Sequence, residues 1–424
     1  MTCEQAIEYL YSRLKFGLIP GLERIQALCE LVDNPQDKLK FIHVGGTNGK
    51  GSTCSMIAGM LQNAGYKTGL FTSPYVIDFR ERIQINGQMI DPDELGSIVE
   101  EIIPLVAQLD SLGITPTEFE VLTVVSLLYY CRKKCDYVVL EVGLGGLCDS
   151  TNIIKQPEVC VITSVSYDHT HILGETIEEI AFQKSGIIKE NTSVVVYPQI
   201  YKEAEDIIFN CAKNKNCKIY SVKKEDVTPI LSDMTGSVFS YKDQRIKVSL
   251  IGSHQLYNAA TAFEAGMALI ERGVKLTVDN ILFGIENAHI AARTQIVSQQ
   301  PLTVIDGGHN PDGVAALCQN LVTVFSGKKV IAIVGMMADK DVALSAKLLA
   351  PLCERIVTVT VDNPRSMKSD DLKGVFESYN SDVIACDNLE SALKEVNGKI
   401  KDDEMLLICG SLYLASEAEN LKNQ

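Results

Sequence analysis

From about residue 40 onward, short apolar segments alternate with longer segments whose apolar residues recur at helical spacing. This alternation is typical of a parallel α/β sheet. Several apolar segments are rich in Val and Ile and contain no alternating polar residues, which indicates strands covered on both faces. The pattern predicts strands at 40–44, 67–71, 137–142 and 159–165, and helices at 51–63 and 117–131.

A polar stretch at 298–301 (SQQP) interrupts the pattern, and the alternation then restarts. We therefore predict two domains, 1–297 and 298–424, the second of them Rossmann-like. Residues 202–250 mix Thr, Ser, Lys and Asp with Val, Tyr and Phe, and there we expect shorter, partly antiparallel strands. The predicted strands of the second domain are 302–305, 329–334, 355–361, 383–385 and 405–409.

Composition narrows the range of partners. The 424 residues carry a formal net charge of −15. This charge does not indicate a basic surface that would bind nucleic acid or an anionic membrane. No apolar run approaches the roughly 18 residues of a membrane-spanning helix, and no signal peptide is recognised.

The 13 cysteines contain no Cys-x-x-Cys pair, so we expect reduced thiols, with Cys131 and Cys135 acting as buried hydrophobes. We expect a cytoplasmic, monomeric protein that binds small molecules.

The sharpest local signal is GTNGKGS at 46–52, between a predicted strand and a predicted helix. Glycines let the backbone wrap a polyphosphate, a helix N-terminus supplies positive potential, the lysine neutralises charge and a hydroxyl can reach Mg²⁺. The strict phosphate-loop spacing is not met, because Val44 stands where the first glycine is due and Gly51 separates Lys50 from Ser52. The alternative is a glycine-rich turn with an incidental lysine, but the flanking elements favour phosphate binding.

Two further candidates follow neighbouring strands. Glu141 ends the apolar segment YVVLE, and His169 follows the next one, so both are expected at the ligand-binding edge of the sheet. Together beside a phosphate loop, a carboxylate and an imidazole can hold a divalent metal. Taken singly, Glu141 is equally well a strand-end cap and His169 a hydrogen-bonded loop residue.

The ordered motifs resemble those of the folylpolyglutamate synthase and dihydrofolate synthase family, members of the Mur ligase superfamily of ATP-dependent amino-acid ligases. The resemblance spans nearly the whole chain, and the order of the motifs makes it far more specific than any single motif. The motifs are HVGGTNGKGST (43–53), SPYVIDFRERIQINGQMI (73–90), TEFE (117–120), EVGLGG-x-x-D-x-TN (141–152), ITSVSYDHTHILGETIEEIAFQKSGIIK (162–189), GSHQLYNAATA (252–262), DGGHNP (306–311), GMMADKD (335–341), NPRS (363–366) and GSLYLA (410–415).

The resemblance implies a phosphate-loop ATPase domain like the Mur ligase central domain, followed by a Rossmann-like C-terminal domain. It also implies roles for individual residues. Those expected to bind ATP are Asn48, Gly49, Lys50, Gly51, Ser52, Asn258, Arg293 and Asp306. Those expected to bind two Mg²⁺ ions are Ser52, Ser73, Glu141, His169 and Lys184. Those expected near the pteroate or the incoming glutamate are Thr117, Phe119, Asp149, His309 and Ser411. Lys50, His169 and Lys184 are the expected catalytic residues.

Some of these residues have plainer interpretations without the resemblance. Lys184 matches a lysine that the family can carry as a carbamate, yet its position in the last turn of a predicted helix would indicate a surface lysine. Asn258 would be an ordinary helix residue and Asp306 part of a strand-end turn. The chain also departs from the family pattern, which usually has Gly-Gly-Arg-Leu-Asp where this chain has Leu147 and Cys148 before Asp149.

The resemblance implies a ligase that joins L-glutamate to dihydropteroate, to tetrahydrofolate, or to both, through an acyl phosphate. Its expected partners are ATP, glutamate and a pteroate or folate, with neither nucleic acid nor membrane. One alternative is a related Mur-type amide ligase that acts on a different carboxylate, because the basic residue at position 147 is missing. Another is a nucleotide-dependent ATPase or switch built on the same loop.

Overall fold

A computed structural model describes residues 1–17, 19–396, 398 and 400–422 of the chain. By their internal contacts, residues 1–227 and 257–288 form a first unit, and residues 228–256 together with those from 289 onward form a second. The boundary between residues 297 and 298 stays a prediction. Grouping by internal contacts places residues 228–256 and 289–297 in the second unit.

The first unit is built on an eight-stranded sheet. Its strands are β1 (Phe41–Gly45), β2 (Thr68–Phe71), β3 (Ile83–Ile85), β4 (Gln88–Met89), β5 (Tyr137–Glu141), β6 (Val159–Ile162), β7 (Ser193–Val196) and β8 (Lys218–Ser221). They lie in the order β4-β3-β2-β5-β1-β6-β7-β8, and β2, β5, β1, β6, β7 and β8 are parallel. Every residue of β1, β5 and β6 is buried, which confirms the prediction of strands covered on both faces.

The helices of the first unit pack on the sheet or on one another. They are α1 (Cys3–Ser12), α2 (Glu23–Leu31), α3 (Lys50–Asn63), α4 (Pro92–Ser111), α5 (Glu118–Arg132), α6 (Thr170–Leu173), α7 (Ile177–Ser185), α8 (Lys202–Asn214), α9 (Ser253–Glu271) and α10 (Val278–Glu286), with residues 257–271 of α9 in this unit. Local sequence determines where several begin. Thr117 and Thr176 each form a capping box with a glutamate three residues later, which satisfies backbone N–H groups at the starts of α5 and α7.

The second unit holds two sheets. A three-stranded antiparallel sheet consists of β9 (Thr228–Asp233), β10 (Gly236–Tyr241) and β11 (Gln244–Val248). The six-stranded sheet consists of β12 (Gln295–Gln299), β13 (Leu302–Asp306), β14 (Lys329–Val334), β15 (Cys353–Val359), β16 (Val383–Cys386) and β17 (Glu404–Cys409), in the order β12-β13-β17-β14-β15-β16. Its helices are α11 (Pro311–Thr323), α12 (Val342–Leu349), α13 (Ser369–Phe376), α14 (Leu389–Val396) and α15 (Leu412–Lys422). Apart from antiparallel β12, the six-stranded sheet is parallel, as predicted.

One stretch of predicted strands is partly wrong. Residues 228–248 do form antiparallel strands, but Lys202–Asn214 forms a helix. Ala204, Ile208 and Ala212 recur four residues apart and are buried on one face of that helix, so the helical period competes with the Thr- and Lys-rich composition.

The predictions about membrane segments and thiols can also be compared with the structure. In the part of the chain that is described, no helix has the length and hydropathy needed to cross a bilayer. All 13 cysteines are free; Cys135 is buried and Cys131 is partly buried.

A buried histidine gives the fold a measurable pH dependence. His43 lies within β1 with no exposed surface, and burial lowers its pKa to about 3. The unfolded chain takes up this proton near pH 6.5, so acid between these two values favours unfolding. We expect this group to remove roughly 2 kcal/mol of the free energy of unfolding between pH 7 and pH 5. Urea titrations at the two pH values measure the loss. His43→Gln, which does not titrate, should lose less, and an equal loss in both proteins would contradict the assignment.

Candidate active site

The predicted nucleotide loop lies between β1 and α3. Gly49 is the N-cap of α3 and has φ +85°. Because glycine has no side chain, the start of the helix has no side-chain cap. The first-turn N–H groups of α3 therefore present the positive end of the helix to the loop, which suits a phosphate. The ammonium group of Lys50 donates to the carbonyl oxygen of Thr47 at 3.1 Å, so this lysine lies against the loop itself.

The segment that follows β6 holds the loop in place. The backbone N–H of Thr47 donates to the Ser164 carbonyl at 2.6 Å, and the Thr47 hydroxyl donates to the Ser166 carbonyl at 3.1 Å. Asn48 and Ser164 exchange two further hydrogen bonds, from the Asn48 N–H and from the Ser164 hydroxyl. The sequence pattern did not single out Ser164, although the polar residues directly after an apolar strand beside β1 were a usable signal.

Asn258 reaches the loop from α9. A Cβ placed on Gly49 would overlap the side-chain amide of Asn258, so only glycine leaves room for this contact. The structure thus brings together two residues that lie far apart in the sequence.

Gly49→Ala should disturb this contact in a measurable way. The added methyl group collides with Asn258, and the left-handed backbone at this position disfavours a side chain. We expect the KM for ATP to rise about tenfold. Gly65→Ala is the matched control, because Gly65 has φ +90° and no atom lies within 4 Å of the position that its added methyl group would take. Steady-state kinetics at varied ATP concentration measure the effect, and equal KM values in the two variants would contradict the steric argument.

Glu141 ends β5 beside the loop. Val44 in β1 pairs with Glu141, so the carboxylate lies at the same edge of the sheet from which the loop departs. Glu141 is buried, and its carboxylate accepts a hydrogen bond from the Ser73 backbone N–H at 3.1 Å. Burial strongly raises the pKa of the Cys54 thiol in α3, and the nearby charge of Glu141 raises it further. The carboxylate and the first turns of α3, which contain buried Ser52, are therefore neighbours.

His169 lies just before α6 in a left-handed conformation, with φ +51°. Its ring nitrogen Nε2 is 3.8 Å from a carboxylate oxygen of Asp168, and the same oxygen accepts the His169 backbone N–H at 2.9 Å. Among the residues that the structure describes, no three or more His, Cys, Asp or Glu side chains cluster in a way that could hold a metal ion. The metal set of Ser52, Ser73, Glu141, His169 and Lys184 stays a prediction.

Lys184 is buried, so the surface interpretation of this lysine is wrong. Its ammonium group donates to the Gly46 carbonyl of the nucleotide loop at 2.9 Å. Burial and, to a smaller extent, the charge of Lys50 lower the pKa of Lys184 to about 7, although the charges of Asp168 and Asp149 act in the opposite direction. A buried amine that is partly neutral near pH 7 is a feature of functional sites.

The residues expected near the pteroate occupy one region of the first unit. Thr117 uses its hydroxyl to accept the Glu120 N–H as the N-cap of α5. A Cβ on Gly143 would lie 2.5 Å from the Phe119 ring and 3.1 Å from an Asp149 oxygen, so both side chains lie close to that glycine. The Asp149 carboxylate accepts hydrogen bonds from its own loop, including one from the Leu144 N–H at 2.8 Å.

The sequence pattern gave no indication of a buried ion pair beside Phe119. Arg82 donates to Glu118 at 2.6 Å, and the Arg82 guanidinium carbon lies 5.5 Å from the centre of the Phe119 ring. Both charged residues are buried. Arg82 and Glu118 lie within two of the family motifs, but the motif sequences do not show whether a charged residue is buried.

In the second unit, Asp306 organises the segment that follows Arg293. Its carboxylate accepts hydrogen bonds from the Thr294 N–H and hydroxyl at 2.8 Å each, and from the Gly308 N–H at 2.7 Å. His309 Nδ1 lies 3.1 Å from the Gly307 carbonyl oxygen. Ser411 is buried, and its hydroxyl accepts the Leu414 N–H at the start of α15. The strand-end turn expected of Asp306 on sequence alone is present.

Comparison with known proteins identifies the family. Residues 44–266 match the family described as Mur ligase middle domain. Residues 292–412 match the family described as Mur ligase, glutamate ligase domain. The dihydrofolate synthase/folylpolyglutamate synthase of Bacillus subtilis is 36% identical over 425 residues, covering 98% of this chain and 97% of the relative. The chain belongs to this family. The folylpolyglutamate synthase of Lacticaseibacillus casei is 34% identical over 428 residues, with 98% and 97% coverage.

A solved member of the folylpolyglutamate synthase family also matches in structure. Mycobacterium tuberculosis folylpolyglutamate synthase complexed with ADP superposes with a TM-score of 0.91 at 28% identity, covering 100% of this chain and 98% of that chain. The predicted fold, a phosphate-loop domain of the Mur ligase type with a Rossmann-like C-terminal domain, is thereby confirmed.

The departure from the family pattern at position 147 falls on an exposed side chain. Leu147 is 38% exposed, and its neighbour Cys148 is exposed as well. The Leu147 backbone is nevertheless fixed, because its N–H donates to the Gln183 carbonyl at 2.8 Å and its carbonyl accepts the Asn152 amide at 3.0 Å. The substitution therefore changes the surface chemistry of the turn while leaving the backbone held.

Proposed function

We propose that this chain joins L-glutamate to dihydropteroate, to tetrahydrofolate and its glutamylated forms, or to both, with ATP as the phosphoryl donor. Membership of the folylpolyglutamate synthase and dihydrofolate synthase family makes it an ATP-dependent acid–amino-acid ligase. The observation that carries the proposal is the meeting of the nucleotide loop, buried Glu141 and buried Lys184 at one edge of the sheet.

The reaction requires two displacements. An oxygen of the substrate carboxylate attacks the γ-phosphorus of ATP, the bond to the leaving ADP oxygen breaks, and an acyl phosphate forms. The glutamate amine then attacks the acyl carbon and loses a proton, and phosphate leaves as the amide forms. Such transfers depend on alignment and on charge neutralisation, which the loop amides and Lys50 supply here.

The oxygen donors proposed around the loop suit Mg²⁺. Serine hydroxyls and a buried carboxylate are oxygen ligands of the kind that Mg²⁺ uses together with phosphate oxygens, and the His169 imidazole would add one nitrogen ligand. Ser52, Ser73, Glu141 and His169 would hold one ion, and a modified Lys184 would help to hold a second. The ions would supply further neutralisation of charge on the phosphates.

Lys184 has the properties that carbamate formation demands. The ammonium group first loses a proton to solvent, and the neutral amine then attacks the carbon of CO₂. A nitrogen–carbon bond forms, a C=O electron pair moves to oxygen and the nitrogen loses a second proton, so that the cation becomes an anion. The lowered pKa of Lys184 leaves a fraction of the amine neutral near pH 7. The resulting anion would also be attracted by Lys50, whose positive charge disfavours the ammonium form.

The remaining site residues divide by substrate. Asn258, next to Gly49, and Arg293 and Asp306 of the second unit are proposed to bind the nucleotide, and His309 and Ser411 to lie near glutamate. Thr117, Phe119 and Asp149 are proposed to shape the pteroate site, supported by the approach of Phe119 and Asp149 at Gly143. A monomeric state, a cytoplasmic location and the absence of nucleic-acid and membrane partners stay predictions.

A substrate screen tests the proposal. ADP release is measured with glutamate plus dihydropteroate or tetrahydrofolate, and the products are analysed by mass for the addition of glutamate. Amide formation with either acid supports the proposal and shows which synthase activity is present. Hydrolysis of ATP that is indifferent to glutamate and to both acids would instead favour an ATPase or switch. Activity only with another carboxylic acid would favour a related Mur-type ligase, the outcome that Leu147 keeps open.

A further inference from the structure

A chain of buried polar groups runs from the nucleotide strand β1 to the proposed pteroate site. His43 Nε2 lies 2.9 Å from the Thr151 hydroxyl, and that hydroxyl donates to one oxygen of Asp149 at 2.5 Å. The other Asp149 oxygen accepts the Leu144 N–H at 2.8 Å. His43, Thr151 and Asp149 are all buried, so water does not compete for these bonds.

The chain has a direction. The Thr151 hydroxyl has a single proton, and an ionised carboxylate only accepts, so that proton points to Asp149. His43 must then donate from Nε2, which leaves Nδ1 as the unprotonated nitrogen. Nδ1 is buried and has no hydrogen-bond partner in the described part of the chain. A buried unpaired nitrogen costs stability, so His43 is held at this position at a cost that the protein offsets elsewhere.

Asp149 depends on this support. Burial raises the pKa of Asp149, and the hydrogen bond from Thr151 is the largest of the contributions that oppose the rise. The same carboxylate accepts the Thr151 and Leu144 N–H groups and so closes the turn around Gly143. The Asp149 oxygen and the Phe119 ring both lie close to Gly143.

We propose that His43 is a positioning residue for the pteroate or folate substrate: acting through Thr151, it holds Asp149 in place against Gly143 and Phe119. The inference rests on the proposed function, because the substrate roles of Asp149 and Phe119 belong to it. His43 lies three residues before the nucleotide loop, yet within the described residues its ring bonds to Thr151 and not to the loop. Its loss should therefore affect the pteroate or folate and not ATP.

Four variants separate positioning from a general structural role. His43→Leu removes the donor, and His43→Gln keeps an N–H donor of similar reach. Thr151→Val removes the hydroxyl with little change of shape, and Thr151→Ser keeps it. We expect His43→Leu and Thr151→Val each to raise the KM for the pteroate or folate about tenfold, as for one lost buried hydrogen bond, with kcat and the KM for ATP nearly unchanged. His43→Gln and Thr151→Ser should restore the KM.

The pair should also act as one unit. Because Thr151 relays the effect of His43, the double variant H43L/T151V should be no worse than either single variant. Equal losses in kcat and in both KM values would overturn the inference. So would a His43→Gln protein that is no better than His43→Leu, or a double variant whose losses multiply.

Two readouts keep this test independent of catalysis. The imidazole nitrogen shifts of His43 in the full chain should report the Nε2-protonated form between pH 6 and pH 8, and an Nδ1-protonated ring would overturn the inference. Calorimetry measures dihydropteroate binding directly. Binding that His43→Leu weakens, without amide formation by the wild-type protein, would contradict the proposed function but support the inference. Normal ligation by the wild-type protein, together with an unchanged KM in His43→Leu, would support the proposed function but contradict the inference.

Discussion

Lys184→Ala is expected to lower kcat by about 100-fold or more, on the scale of losing one charge-stabilising group in a phosphoryl-transfer site. The variant loses the hydrogen bond from the lysine to the Gly46 carbonyl. It also loses the proposed carbamate, which would be a ligand for a second metal ion. Added acetate should restore part of the rate, because a small carboxylate can occupy the space that the truncated side chain leaves.

Steady-state rates with and without acetate measure this effect, and Lys189→Ala is the matched control. Lys189 is partly buried and its pKa is also lowered by burial, but it lies beyond the end of α7 and outside the proposed site. The control should keep its activity and should not respond to acetate. Unchanged activity of Lys184→Ala in the absence of acetate would refute a metal-binding role for Lys184.

Lys50→Ala should lower kcat by about 100- to 1,000-fold, because no other lysine in the loop can neutralise the charge that develops on the phosphates. Lys50 lies at the first position of α3 and against the Thr47 carbonyl, so its charge is held at the loop. Single-turnover kinetics with saturating ATP separate the chemical step from nucleotide binding.

Lys40→Ala is the control for this variant. Lys40 precedes β1 and its ammonium lies 5.7 Å from the centre of the Tyr137 ring, outside the proposed site. We expect near wild-type kcat for Lys40→Ala. A Lys50→Ala enzyme that kept the wild-type chemical rate and differed only in its KM for ATP would show that the lysine binds the ground state and transition state equally, contrary to the account.

The architecture could be predicted because it depends on local patterns. Uninterrupted Val and Ile segments indicate strands covered on both faces, and β1, β5 and β6 are buried throughout. The prediction for residues 202–214 was wrong because their composition suggested strands, whereas the buried alanines and Ile208 follow the helical period. Where composition and period disagreed, the period was correct.

The candidate site was only partly predictable, because local sequence does not determine which side chains are buried or which distant residues they contact. Lys184 in the last turn of a helix has the sequence of a surface residue, but the chain folds it beneath the Gly46 carbonyl. Ser164 bonds to Asn48, and Arg82 lies near the Phe119 ring, so both contact site residues that lie far away in sequence. Only the resemblance to the family pointed to Lys184 and Asn258, and it gave no contacts for either residue.

Transfer of an isotope label tests the central claim most directly. Dihydropteroate or tetrahydrofolate is labelled with ¹⁸O in the carboxylate that is to be activated, and incubated with the protein, ATP and glutamate. An acyl phosphate mechanism predicts that each amide formed is accompanied by one phosphate carrying one ¹⁸O atom, and that omission of glutamate abolishes amide formation. Phosphate without label, released at the same rate with or without glutamate, would contradict the claim that this protein is a ligase that activates a pteroate or folate carboxylate.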